Sequence, residues 1–169
     1  MKKIFHSFNA IVVLSILCIP AIFKTTNAEG KKSLSEWPRT ENRINNIKIL
    51  VAETAELAHQ GFCNASSDDF QSTAIWFPDI KEGTMFVNTN PGFGTVNRDL
   101  KIVFLDRNWV VLEIQTMVKK KGTAIAPKNT YHAIEGIPEI INRLGFERGN
   151  PAPFRIIRID GKYYCLSRQ

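Results

Sequence analysis

The chain has 169 residues, of which 44% are apolar and 22% charged, with a formal net charge of +6. That length and balance fit one globular domain with an ordinary core, and a second domain is not expected. They exclude a repeat array or a low-complexity chain, and the bases are not interleaved with aromatic residues as a nucleic-acid reader requires.

Much of the charge sits in an N-terminal leader. Lys2 and Lys3 precede an apolar run from Ala10 to Phe23, and Thr26-Asn27-Ala28 supplies the small side chains that a signal peptidase accepts. The run is shorter than the roughly 20 residues that cross a bilayer, and Pro20 interrupts it, so a signal peptide over 1–28, cut between Ala28 and Glu29, is expected rather than a membrane span. Cleavage would remove Lys2, Lys3 and Lys24 and no acids, lowering the net charge from +6 to +3. The expected location is the periplasm or the exterior, the alternative being an uncleaved leader that acts as an anchor.

Residues 29–44, EGKKSLSEWPRTENRI, are polar and broken by Pro38, and are expected to form a flexible linker. The domain is expected to start at residue 45. Alternation over 46–52 predicts a first strand, and Glu53-Thr54 then leads into a short helix that carries Leu57 and Ala58 inward and stops at Gly61. Asp68-Asp69 after Ser66-Ser67 fits a solvated loop or a helix cap. Short strands follow at 73–77 and 84–88, then a loop rich in Gly, Asn and Pro, 89–94.

Residues 99–117, DLKIVFLDRNWVVLEIQTM, alternate on both sides of Asp106-Arg107-Asn108 and predict a hairpin. Leu100, Ile102 and Phe104 share one face and Lys101, Val103 and Leu105 the other, so the pair is placed near the centre of the domain, with Lys101 and Glu113 on one rim. Lys119-Lys120-Lys121 is expected at a strand end in solvent. A strand over 130–135 precedes a helix opened by Pro138 and stopped by Gly145, and Asp160-Gly161 joins the two strands of a C-terminal hairpin, 151–169. The fold class is therefore mainly β with two short helices: a compact antiparallel sandwich or barrel-like domain.

Three stretches in order resemble the bacterial and archaeal group known as domain of unknown function 192. They are AETAELAHQGFC (52–63), IVFLDRNWVVLEIQTM (102–117) and YHAIEGIPEIINRLGFERGN (131–150), and coverage runs from about 46 to 150. The resemblance implies a mostly antiparallel β fold with two short helices, export or lipid anchoring, and no established activity. Where that group has Phe-Trp-Met-Lys-Asn-Thr and Pro-Leu-Asp, this chain has TMFVNT (84–89) and Asp99-Leu100-Lys101. Asn88 and Thr89 are kept, while Val87 and Lys101 replace the lysine and the aspartate. The turn glycine is Trp109, which leaves Asn108 as the residue expected to take a positive φ. Cys63 replaces a methionine, and the segment after 150 is an extension.

No catalytic motif is present, and His59 and His132 are too isolated for the three or four ligands of a zinc site, so neither a metal nor a cofactor is expected. Asp99, Asp106 and Glu135 are the acids to weigh for proton transfer. Asp106 is better explained as a turn residue and Glu135 as a strand-end residue before a helix. Cys63 and Cys165 would close a loop of about 100 residues if bonded, worth ~4 to 5 kcal/mol in the chain-entropy model, and two unrelated buried thiols are the alternative. The sequence thus points to a small exported, monomeric binding or interaction module. Its partner would be a small ligand or an envelope protein, seated at a rim formed by Asn88, Thr89, Lys101 and Glu135. The alternatives are a cell-envelope hydrolase, which needs two carboxylates in one pocket, and a component of an envelope assembly, which needs an exposed apolar patch.

Overall fold

The computed structural model describes residues 31–63 and 65–168, and the leader and its cleavage point, Ala28 and Glu29, lie outside them. A five-stranded sheet runs through the domain in the order β1 (Lys48–Val51), β2 (Thr73–Phe77), β9 (His132–Gly136), β6 (Leu100–Leu105), β7 (Val111–Met117). Period-two alternation gives it two apolar faces. Leu50, Ile75, Phe77, Ile102, Phe104 and Ala133 project to one side, and Ile49, Val51, Trp76, Val103, Leu105 and Ile134 to the other.

The first face is covered by α1 (Ala55–Gln60), α2 (Ser67–Ser72) and two ribbons. These are β3 (Met85–Val87) with β8 (Thr123–Ile125), and β4 (Thr89–Asn90) with β5 (Gly94–Thr95). The second face is covered by α3 (Pro138–Leu144) and the hairpin β10 (Phe154–Ile159) with β11 (Lys162–Ser167). Among the described residues no helix is long and apolar enough to cross a membrane.

The mainly β class with few short helices is the one the alternation gives, and local signals place most elements. Thr54 Oγ1 accepts from the Leu57 amide at 3.2 Å to start α1. Pro138 stands at the first turn of α3, and Gly145 ends it in a left-handed conformation. Two features differ from expectation. β1 and β2 pair in parallel, the only such pair among the named strands, because α1 and α2 lie between them and carry the chain back across the sheet. Ser66 and Asp69 form a reciprocal capping box, so of the two readings of the acidic stretch the helix cap holds, and it adds a third short helix to the two expected.

Residues 31–47 are packed and do not form a linker. Leu34 and Trp37 are buried in the first core, and Arg39 and Thr40 bridge to Leu50 and Tyr163. Two large apolar side chains among polar ones supply enough burial to dock the arm. The 99–117 hairpin is central only on one side: β6 lies inside the sheet, whereas β7 is an edge strand. Lys101 pairs with Thr116 and Glu113 with Phe104, which sends Lys101 and Glu113 to opposite faces instead of to one rim.

At the hairpin turn the positive φ falls on Trp109 (63°), not Asn108. Asp106 Oδ1 accepts from both the Asn108 and Val110 amides at 2.8 Å, which fixes the turn. The left-handed residue then throws its indole onto His132, with ring centroids 4.4 Å apart, and beside Trp76 at 5.9 Å. Burial of a large ring, 7% exposed, outweighs a backbone cost of about 1 to 2 kcal/mol.

Cys63 and Cys165 are both free and buried, so the expected disulfide is not formed. Cys63 packs in the core on one face of the sheet and Cys165 in the core on the other. A disulfide needs Cα atoms within about 7 Å, and the sheet stands between these two.

Candidate functional site

A cleft of about 300 Å³ opens on the first face, between α1, the β3–β8 ribbon and the sheet. Its floor is Glu135. This residue pairs with Ile75 on one side and Ile102 on the other, so strand parity sends its carboxyl into the apolar layer with theirs. Phe62, Phe77, Ile80, Phe86 and Val96 form the walls.

Glu135 is only 5% exposed, and among the described residues no hydrogen bond reaches its carboxyl. Burial alone raises its pKa from 4.5 to about 8, so the group is protonated at neutral pH. Gly61 ends α1 at φ +48° and passes above it; a Cβ on Gly61 would lie 3.5 Å from Glu135 Oε2. The glycine meets a backbone requirement there, since φ +48° is a conformation that other residues rarely adopt, while a Cβ would only touch the carboxyl.

The polar groups beside Glu135 are already engaged. Gln60, buried, accepts from the Lys32 amide at 3.1 Å and donates to the Lys32 carbonyl at 2.7 Å, pinning the N-terminal arm to α1. Asn90 Nδ2 donates to the His59 carbonyl at 3.1 Å and its Oδ1 accepts from Gly92 at 3.0 Å, tying the 89–94 loop to the helix. Cys63 Sγ donates to the Gly94 carbonyl at 3.4 Å. Burial, then the neighbouring Glu135 charge, raises the Cys63 thiol above its usual value, which disfavours the thiolate that a nucleophile needs. At the mouth, Met85 and Val87 are exposed, and Ile125 stands opposite Met85 across the ribbon.

Of the four rim residues read from the sequence, the structure places only Glu135 in this cleft. Asn88 is buried and donates to the Met117 and Val118 carbonyls at 3.1 and 3.0 Å, locking the loop onto the end of β7. Gly122 lets that turn close, because a Cβ there would lie 2.4 Å from the Met117 carbonyl carbon. Thr89 Oγ1 donates to the Lys120 carbonyl at 2.6 Å. Lys101 is on the opposite face of the sheet, 3.0 Å from Asn142 Oδ1 on α3. Glu135 itself is an interior residue of β9, not a strand-end residue facing water.

Gln60, Cys63, Asn90 and the phenylalanines join Glu135 through tertiary packing, which sequence reading missed. One signal was available: in TYHAIE, Glu135 shares its alternation phase with Ala133, an inward position. Among the described residues, no group of three or more His, Cys, Asp or Glu is arranged to hold a metal.

Fold and cleft together define a small mainly β domain with one isolated buried acid in an apolar pocket. No protein-family model and no curated protein matches the chain. Two solved structures resemble it. One is a protein of unknown function from Novosphingobium aromaticivorans DSM 12444, at TM-score 0.50 and 17% identity, covering 62% of this chain and 73% of that one. The other is a Sinorhizobium meliloti 1021 protein described as a proposed transcription regulator, at TM-score 0.54 and 14% identity, covering 72% and 95%. At these identities the likeness is one of fold alone.

Proposed function

We propose that this chain is an exported, non-catalytic binding module, a divergent relative of the domain of unknown function 192 group, that holds a small ligand against Glu135. The observation that carries the reading is a buried carboxyl without a protein partner, open to a cleft lined by phenylalanines. Buried polar groups ordinarily find a partner, and one left open to a pocket marks a place for a ligand's polar group. The basic, apolar and small-residue pattern of residues 2–28 supports export.

A hydrolase that works through carboxylates needs a second acid to divide the acid and base roles. The cleft has Glu135 as its one acid, and the Cys63 thiol beside it is held protonated. Binding is what this set of side chains supports.

The test has two parts. Chain isolated from periplasm should have the mass of a product beginning at Glu29; a full-length mass would overturn the exported reading. A panel of small polar fragments, followed by amide chemical shifts, should perturb residues 58–63, 84–87 and 135. Ala58→Trp, which fills the cleft, should abolish those shifts. Fragments that move other surfaces only, or that bind the filled variant equally well, would remove the site.

A further inference from the structure

The chemistry of the cleft also restricts what enters it. Resting on the binding reading above, we infer that the ligand carries a primary ammonium group, seated on the Glu135 carboxylate with its alkyl arm along Phe62, Phe77 and Phe86. The neighbours Gln60 and Asn90 already bond to Lys32, His59 and Gly92, and Glu135 is the one carboxyl that lines the cleft, so it is the group that can meet a cation with opposite charge.

An ionised carboxylate in this apolar layer has no compensating charge of its own. The titratable and charged groups nearest it are Cys63 and His59 at the α1 side and Lys31 from the N-terminal arm. The Lys31 ammonium lies over Gly94 and acts on Cys63, not on Glu135, whose displacement has burial as its sole cause. A cation delivered by the ligand would remove the penalty that keeps Glu135 protonated, and its attraction to the carboxylate is strong in a water-poor pocket.

Aromatic walls suit the alkyl arm. Phe77 and Phe86 meet edge to face at 5.1 Å and Phe62 stacks on Phe70 at 5.1 Å, so the rings form a fixed apolar lining. A primary ammonium brings three N–H donors for the carboxylate oxygens, which a quaternary ammonium lacks. At about 300 Å³ the cleft stands at the small end of ligand sites, and exposed Met85 and Val87 extend an apolar track outward for the alkyl arm.

The step is an acid–base exchange coupled to binding: the ammonium arrives charged, the Glu135 proton leaves to the buffer, and no covalent bond to the ligand forms or breaks. Isothermal titration of the leaderless chain with n-butylammonium, using tetramethylammonium, 1-butanol and butyramide as controls, tests it. The affinity of n-butylammonium should rise about tenfold per pH unit from about pH 6 and level off near pH 8. Below that plateau, one proton should be released per ligand, read from titrations in buffers of different ionisation enthalpy. Glu135→Gln should lose the binding while retaining a single cooperative unfolding transition. Equal or tighter binding of butyramide or 1-butanol, or affinity that falls with rising pH, would show a protonated acid acting as donor; the ammonium inference then fails and the binding site stands. Saturable binding of tetramethylammonium as tight as that of n-butylammonium would refute the requirement for N–H donors. If none of the probes binds at pH 8 and no fragment perturbs the cleft, both readings fall together.

Discussion

Replacing Glu135 by Gln should stabilise the protein at neutral pH, and the size of the gain follows from the burial of one carboxyl. In the unfolded chain this group ionises near its ordinary value of 4.5, whereas in the fold it holds its proton until about pH 8. Between those values the folded state binds more protons than the unfolded state, so raising the pH favours unfolding. The contribution is fully present below pH 4.5, is lost progressively above it, and levels off once pH 8 is passed. At about 1.4 kcal/mol per pH unit, the loss by pH 7 is about 3 kcal/mol.

The glutamine side chain has nearly the same shape and no charge to expel from water, so the variant escapes that loss. Urea denaturation of both proteins from about pH 4 to about pH 8 should show near-equal stability at the acid end. At pH 7 the variant should lead by about 3 kcal/mol, roughly 10 °C in Tm. His132 runs the other way: burial lowers its pKa from 6.5 to about 4, so its contribution is present above pH 6.5 and lost as the pH falls towards 4. That contribution is common to both proteins and cancels in the difference. A difference that stays flat across this range would mean that the Glu135 carboxyl reaches water, and would refute its isolation in the apolar layer.

Two further outcomes follow from the packing. Trp109→Ala should cost about 3 to 5 kcal/mol through loss of the stack on His132 and Trp76. Trp109→Gly should be the more stable of the two variants by roughly 0.5 to 1 kcal/mol, because glycine relieves the left-handed backbone by more than it gains freedom when unfolded. If denaturation ranks alanine above glycine, the turn does not hold residue 109 at positive φ. Alkylation mapped by peptide mass should find Cys63 and Cys165 unlabelled in the native protein and both labelled in denaturant without reductant; a cross-linked 63–165 peptide would contradict their separation by the sheet.

The sequence alone determined what depends on near neighbours. Alternation over 73–77 and 100–105, the Thr54 and Pro138 helix starts, the Gly61 and Gly145 stops and the Asp160-Gly161 turn are short-range properties, and the elements lie where they predict. Tertiary structure decided the rest. Parallel pairing of β1 with β2 depends on how 21 intervening residues pack, which no local period records. Trp109 takes its conformation because two distant aromatic residues receive its ring, and Trp37 docks a polar arm because a core lies ready for it. The site shows the same division: parity already turned Glu135 inward, but only the stacking of α1 and the β3–β8 ribbon made that position a pocket. Parity likewise put Lys101 on the face opposite Ile102, and the pairing of Ile102 with Glu135 made that the face away from the cleft.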